Sequence, residues 1–341
     1  MTAQRSLVAA ADARQPLFAG LDLGGTNIKA ALVDSAGGML AFHTEPTAVG
    51  RGPEDAALRM GRAVGILAAQ AGVSTETIAR VGLGTPGPQD LPAGLILKAG
   101  NLPGWENFPI RDRVAAHCGH GVSYANDANA AAYGEFWVGS GRAASSLILL
   151  TLGTGVGGGI IIGDLNVSGA HSHGSECGHI VVDASAGARR CPLGHPGDLE
   201  AYASATALVA RAREALAAGA GGMLTTAAAP LTPIVIADAA RAGDPLARDL
   251  ILETARWLGI GVVTLMHTID PEMVLIGGAM TFGGDADPLG REFIDRVRDE
   301  VRGRTFPVLA EKTVIRYASL GGDAGSIGAA GLARLDHIRA R

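Results

Sequence analysis

The sequence predicts an α/β protein of two domains, and three observations predict it. Residues 17–23 form an apolar run that breaks at Gly24-Gly25-Thr26-Asn27 and resumes over 28–34, the pattern of a strand, a glycine turn and a second strand. The same grammar returns at 147–152, the glycine-rich 153–159 and 160–162, and a third strand with its glycine half stands at 273–278. Between these runs lie stretches with apolar residues at helical spacing, so strands alternate with helices and a duplicated α/β unit follows. At 341 residues the chain is long enough for two cores of the usual ~100–200 residues.

From the N-terminus, residues 1–16 carry Arg5 and a short apolar run over 7–11, broken by Asp12 and Arg14. That is less than a signal peptide needs, and it reads as a frayed tail. Residues 53–71 place Ala57, Leu58, Met60, Ala63, Val64, Leu67 and Ala68 at helical spacing and should cover a sheet face. Residues 81–88 are a strand ending in a Pro/Gly turn. Asn101-Leu102-Pro103-Gly104-Trp105 is a second such turn, whose Asn and Trp suit the wall of a site for a polar ligand with an apolar face.

Residues 121–125 form a strand that runs into Asn126-Asp127-Ala128-Asn129, with alanines and Glu135 beyond. Asn126 or Asp127 therefore falls where a helix start takes a capping side chain. Residues 198–218, 244–267, 289–301 and 325–341 read as further helices, the first with Asp198 and Glu200 in its opening turn, where acidic groups suit the helix dipole. No Gly/Pro/Ser-rich linker separates the halves. The boundary is placed near 139–142, giving domains 17–138 and 139–324, with the helix at 325–341 packing back on the first.

Composition excludes several classes. The net charge is −5 without a basic run, so no nucleic-acid footprint is expected. Only three lysines occur, Lys29, Lys98 and Lys312, and none completes a Walker A loop. Three scattered cysteines, Cys118, Cys177 and Cys191, make no disulfide framework and point to a reducing cytoplasm. The longest late apolar run, 257–266, is about half of the ~20 residues that a membrane span requires. A soluble protein without a membrane partner is expected.

Residues 153–158 satisfy G-x-G-x-x-G, yet a dinucleotide fingerprint must open a helix, and here Ile160 to Ile162 continue as a strand. The turn reads instead as a nest of backbone N–H groups for phosphate, with glycine permitting positive φ and close approach. The densest chemistry lies over 169–200, where His171, His173, Glu176, Cys177, His179, Cys191, His195, Asp198 and Glu200 gather. Its spacing matches neither H-E-x-x-H nor paired C-x-x-C. Glu176 and His179, at i and i+3 in a glycine-broken loop, can converge on one ligand.

The ordered set LDLGGTNIKAALVD, GLGTPGP, NLPGW, NDANAAAYGE, LGTGVGGGIIIG, GSECGHIVV and CPLGHPGDLEAYAS resembles the ROK family (repressor, open reading frame, kinase) of sugar kinases across nearly the whole chain. The resemblance implies an actin-like ATPase (ribonuclease H-like) fold of two domains with a duplicated mixed-sheet core, closing on a hexose and ATP. It makes Asp127 the base that accepts the proton of the sugar's primary hydroxyl as it attacks the γ-phosphate. It puts Asn101, Asn126, Asp127, Glu176, His179 and Glu200 on the sugar. Gly24, Gly25, Thr26, Asn27, Thr154 and Gly155 become the phosphate cradle, Gly277 and Gly278 a turn beside the nucleoside, Lys29 a residue facing phosphate, and Asp22 the contact to the Mg²⁺ hydration shell. A homodimer is implied as well.

The physical logic agrees, because phosphoryl transfer asks for positioning and charge stabilisation more than covalent chemistry. One departure stands out. The family's zinc motif is a His followed by C-x-C-G-x-x-G-C-x-E, and here His179 and Cys191 remain while Leu193 and Asp198 occupy the other two cysteine positions. Leu193 cannot ligate, and His195 or Cys177 would have to substitute, so the loop is expected to be held by packing and hydrogen bonds rather than by zinc.

The leading expectation is therefore an ATP-dependent glucokinase. Mannose, fructose, allose, N-acetylglucosamine and N-acetylmannosamine compete as acceptors, and polyphosphate competes as donor. From another class, a sugar-sensing transcriptional regulator needs an N-terminal helix-turn-helix, and the first strand already starts near Leu17. A non-catalytic sugar-binding protein would keep Glu176 and His179 but have no use for Asp127.

Overall fold

The structure is a computed structural model that describes residues 5–226 and 230–341, and its chain groups into two compact units. Unit 1 takes the chain up to Ala143, then Gly159–Ser175 and Leu320–Arg341; unit 2 takes Ala144–Gly158 and Glu176–Ser319. The segment 159–175, placed by sequence in the second domain, thus counts with the first. Gly159 lies so close to unit 1 that a Cβ there would come within 2.4 Å of Ala132 Cβ, and Ser172 Oγ accepts the Leu91 N–H at 3.0 Å.

Unit 1 opens with β1 (Leu17–Leu23), β2 (Asn27–Val33), β3 (Met39–Pro46), α1 (Pro53–Ala71) and β4 (Ile78–Thr85). A small ribbon of β5 (Gln89–Asp90) and β6 (Leu95–Ile96) follows, then α2 (Ile110–Cys118), β7 (Val122–Asn126) and α3 (Asp127–Trp137). The main sheet runs β3-β2-β1-β4-β7, with β3, β2 and β1 antiparallel and β1, β4 and β7 parallel. The two-residue period of a strand explains its layers. Leu17, Ala19, Leu21 and Leu23 share a core with Met60, Val64 and Leu67 of α1, whereas Phe18 joins Ala31, Val33, Ile327 and Ala330 on the opposite face.

Unit 2 follows from β8 (Ser146–Leu152) and β9 (Val156–Ile162), whose last residues count with unit 1, as does β10 (Leu165–Asn166). Helices α4 (Glu200–Ala203), α5 (Ala205–Ala217), α6 (Pro233–Arg241) and α7 (Pro245–Ile269) come next. Then come β11 (Met273–Gly278), α8 (Pro288–Arg304), α9 (Pro307–Lys312) and β12 (Val314–Tyr317), after which α10 (Ala324–Arg339) returns to unit 1. The second sheet has the order β10-β9-β8-β11-β12 with β8, β11 and β12 parallel. Numbered by its own strands, each sheet is 3-2-1-4-5, so the repeated strand and glycine grammar is a repeated topology. Helix α7 is long and apolar enough to cross a bilayer by length and composition, but half of that window is buried inside the protein.

Helix α10 lies directly on the backbone of unit 1's sheet. A Cβ at Gly20 would stand 1.8 Å from Ser326 O, one at Gly82 1.8 Å from Ala329 O, and one at Gly328 1.7 Å from Ala130 O of α3. Only glycine allows this approach, which brings the start of α10 against Asp22.

The structure corrects several expectations. The described part of the N-terminal segment is not frayed: Arg5 pairs with both oxygens of Asp323 at 2.6 and 2.9 Å, stacks on Phe42, and Val8 N–H bonds Met39 O. Trp105 is core, 1% exposed with its indole N–H on Val49 O, rather than a ligand wall. The helix expected over 198–218 breaks at Ser204, whose Oγ caps α5 by accepting Ala207 N–H. Gly157, Gly158 and Gly159 belong to β9, so the second turn is only 153–155. Strands β3 and β12 and helix α6 were not anticipated; β3 is half-exposed along its second half, which blurs its alternation.

Candidate active site

In unit 1 the first candidate cluster gathers at the ends of β1, β4 and β7. Asn126 ends β7 in extended conformation and caps α3, its Oδ1 accepting the N–H groups of Ala128 at 2.9 Å and Asn129 at 3.2 Å. The capping residue is thus Asn126, and Asp127 is the first helical residue, its Oδ1 accepting Ala128 N–H at 2.8 Å. Gly84 of β4 lies beneath it, a Cβ there being 3.5 Å from Asp127 Cα. The hairpin turn closes through Gly24 N–H on Asn27 O at 2.9 Å and is braced by buried Thr47, whose hydroxyl donates to Gly24 O at 2.6 Å and whose N–H bonds Thr26 O. Asn101 packs on Gly25, with Nδ2 3.2 Å from where a Cβ would be. Lys29 Nζ donates to Gly322 O at 2.7 Å, fastening the loop before α10 to this hairpin.

Asp22 stands in the same cluster. Desolvation first, then the charge of Asp127, push its carboxyl from the ordinary 3.8 up to about 7, against a lowering pull from Lys29. Between pH ~4 and ~7 the folded protein therefore keeps a proton that the unfolded chain has lost, so stability falls as pH rises through that window and is level above it. Asp22→Asn is expected to stabilise the ligand-free protein at pH 8 by roughly 2 kcal/mol, after discounting for partial exposure, and to have little effect near pH 4. Denaturant midpoints of both proteins across pH 4–8 test this; a difference that does not grow with pH removes the carboxyl from the role.

Unit 2 carries the second cluster on the 153–155 turn and the 176–200 loop. Glu200, in the first turn of α4, is positioned by more than a helix dipole: its Oε2 accepts Val156 N–H at 3.0 Å, and a Cβ at Gly155 would come within 2.1 Å of it. Thr206 Oγ1 donates to Thr154 O at 2.8 Å and Ala205 N–H to Gly153 O, so the turn is moored to α5. Gly24, Gly25, Gly153 and Gly155 all stay outside the left-handed region, which corrects the positive-φ part of the nest reading. Close approach, by the side chains of Asn101 and Glu200, is what glycine accommodates at 25 and 155. Gly278 does take φ +90, with Leu152 O 2.3 Å from a would-be Cβ, and Gly277 packs on Ala318.

The loop holding Glu176 and His179 folds on itself. Glu176 is exposed and its carbonyl accepts His179 N–H at 3.0 Å; His179 Nδ1 pairs with the buried Asp198 Oδ2 at 3.0 Å. Asp198 is therefore an interior acceptor as well as a helix-start residue, its Oδ1 taking the first-turn Ala201 N–H at 3.1 Å. Burial, then a hydrogen bond to Asp198, raise the Cys191 thiol, while burial and Glu176 push Cys177 up to about 12. One donor atom from each of His179, Cys191, His195 and Asp198 lies within 4.8 Å of the others. Two imidazoles, a thiol and a carboxylate are donors that Zn²⁺ accepts, so the residues fit the ion despite Leu193, and His195 rather than Cys177 completes the set. Sequence spacing could not show this, because a turn had to fold 191–195 back.

The ROK family profile matches residues 18–335 of the chain. The glucokinase of Streptomyces coelicolor is 37% identical over 328 residues, 93% of this chain and 98% of that protein. Among solved structures, the ROK hexokinase from Thermus thermophilus gives a TM-score of 0.80 at 33% identity, over 95% of this chain and 100% of its own. A ROK family glucokinase from Streptomyces griseus, solved in complex with glucose and AMPPNP, gives 0.74 at 34% identity, over 94% of this chain and 99% of its own.

Proposed function

The chain belongs to the ROK family and has its actin-like ATPase fold, and from that premise we propose that this ATP-dependent sugar kinase phosphorylates glucose at its primary hydroxyl. Asp127 is the general base. The observation that carries the reading is local to unit 1: Asn126 takes the capping duty of α3, which leaves the Asp127 carboxylate at the helix start beside Asp22 and the first glycine hairpin. Asp22, which feels the charge of Asp127, stands two residues before the Gly24–Asn27 turn, whose backbone N–H groups suit a polyphosphate.

The remaining roles follow from chemistry. Asn101, Asn126 and Asp127 in unit 1, and Glu176, His179 and Glu200 in unit 2, are the planar donors and acceptors for sugar hydroxyls, each of which would lose ~1–3 kcal/mol if buried unpaired. The 24–27 turn, with Thr154 and Gly155, holds phosphate oxygens through backbone N–H groups, and Gly277-Gly278 sits beside the nucleoside. Asp22 and Asp127, two mutually repelling carboxylates, are a donor set that a hydrated Mg²⁺ relieves. When bound, that ion neutralises charge on the β- and γ-phosphates.

A coupled ADP-release assay with glucose, mannose, fructose, allose, N-acetylglucosamine and N-acetylmannosamine, paired with polyphosphate-driven sugar-phosphate formation, tests the reading. Glucose with ATP is expected to give the highest kcat/KM. A better hexose or a preference for polyphosphate would replace the substrate or donor, and no phosphorylation of any sugar would end the kinase assignment.

A further inference from the structure

Arg59 stands on α1 with its side chain only 11% exposed, and its guanidinium is spent on one short stretch of chain. Nη1 donates to Pro46 O at 2.7 Å and to Glu45 Oε2 at 3.0 Å, and Nη2 donates to Thr47 O. Nε donates to Asp55 Oδ2 at 2.7 Å, one turn earlier on the helix, while Arg51 holds the other oxygen of Asp55 at 2.6 Å. One planar fork thus grips two successive carbonyls, and two carboxylates fix the fork.

Thr47 carries that grip to the first glycine turn. It is fully buried, its hydroxyl donates to Gly24 O at 2.6 Å, and its N–H donates to Thr26 O at 2.8 Å. A trans peptide is planar with its C=O and N–H opposed, so tying the carbonyls of Gly24 and Thr26 sets the direction of the Gly25 and Asn27 N–H groups. A phosphate-binding turn works by where such groups point. Nothing local holds Thr47 in place, because Ala48 after it takes φ +51, a conformation disfavoured for a residue with a Cβ. The bonds from Arg59 to Pro46 O and Thr47 O are what keep this bend.

We propose that Arg59 is a positioning residue for phosphate binding, holding the Gly24–Asn27 turn in its receiving orientation through Thr47; this rests on the reading of that turn as a phosphate cradle. Arg59 lies on the far side of Thr47 from the turn and touches no phosphate itself. Its effect is therefore on nucleotide affinity, with little on the sugar and with full dependence on Thr47.

The test is titration calorimetry of the full-length protein with ADP in excess Mg²⁺, beside KM values for ATP and glucose and a melting curve. Arg59→Met keeps the aliphatic stem and loses the fork. Arg59→Lys keeps a charge between Asp55 and Glu45, which guards the fold, but one ammonium cannot reproduce the fork on both carbonyls. Both are expected to weaken ADP binding about tenfold, the lower end of what a hydrogen bond from a charged group contributes, and Thr47→Val about fivefold. The glucose KM should move by less than about threefold. Adding Thr47→Val to Arg59→Met should cost less than about twofold more, since the two act on one element. A merely structural Arg59 would lower the melting temperature and leave ADP affinity and the ratio of the two KM values unchanged. Wild-type ADP affinity in both Arg59 variants, equal rises in both KM values, or effects that multiply in the double variant overturn the proposal. Wild-type protein that binds ADP and phosphorylates no sugar removes the kinase reading alone; one that binds no ADP removes both.

Discussion

Asp127→Asn is expected to lower kcat by roughly 10²–10⁴-fold while leaving the fold intact. The amide has the shape of the carboxylate, and its oxygen can still accept the Ala128 N–H that Asp127 Oδ1 accepts at 2.8 Å. Asn126 continues to cap α3. What is lost is the ability to take a proton from the attacking hydroxyl, an effect confined to the chemical step. Accordingly the sugar KM should move by less than about threefold, since only transition-state stabilisation is removed. Steady-state kinetics and a melting curve on one preparation test both halves. Turnover equal to wild type would take the base away from Asp127, and a collapse in stability would make the residue architectural.

The second large effect is expected at Glu135, the last charged residue of the α3 run. It is fully buried, and its two oxygens serve different parts of unit 1: Oε2 accepts Ser140 N–H at 2.8 Å and Oε1 accepts Leu320 N–H at 2.6 Å. Gly139 is pressed on it, a Cβ there lying 2.2 Å from Oε2. One carboxylate therefore ties the chain just before it leaves unit 1 near residue 143 to the chain just after it re-enters at 320. Glu135→Ala strands two backbone donors, at ~1–3 kcal/mol each, and opens a cavity, for a loss of about 4 kcal/mol. Glu135→Gln keeps one acceptor and should lose about half as much. Denaturant midpoints should rank wild type, Gln, Ala; an alanine variant within ~1 kcal/mol of wild type would show that the bracket carries no stability.

Much of this was legible from the chain. The hairpins, α1, the α3 start and β11 follow from local periodicity and turn chemistry, and α1 runs over Pro53–Ala71 as its spacing predicts. The N-terminal arm was not, because Arg5 and Asp323 are 318 residues apart and no local pattern announces such a pair. Local pattern alone makes Glu200 a partner of the helix dipole; that its carboxylate seats on the second glycine turn is a contact across 44 residues that no local pattern announces. Of the two reasons the sequence offers for glycine in that turn, positive φ and close approach, the structure uses the second.

By itself the sequence determined the element types, the repetition of strand and glycine turn, and the presence of an acid at a helix start, since each of these is written within a few neighbouring residues. Tertiary structure alone decided which of Asn126 and Asp127 caps, that Trp105 is core, that Glu135 brackets two distant segments, and that His195 rather than Cys177 stands with His179, Cys191 and Asp198. These are long-range outcomes: backbone donors and side chains far apart in the chain become partners only when turns and sheet register bring them together, and local propensity carries no information about that meeting.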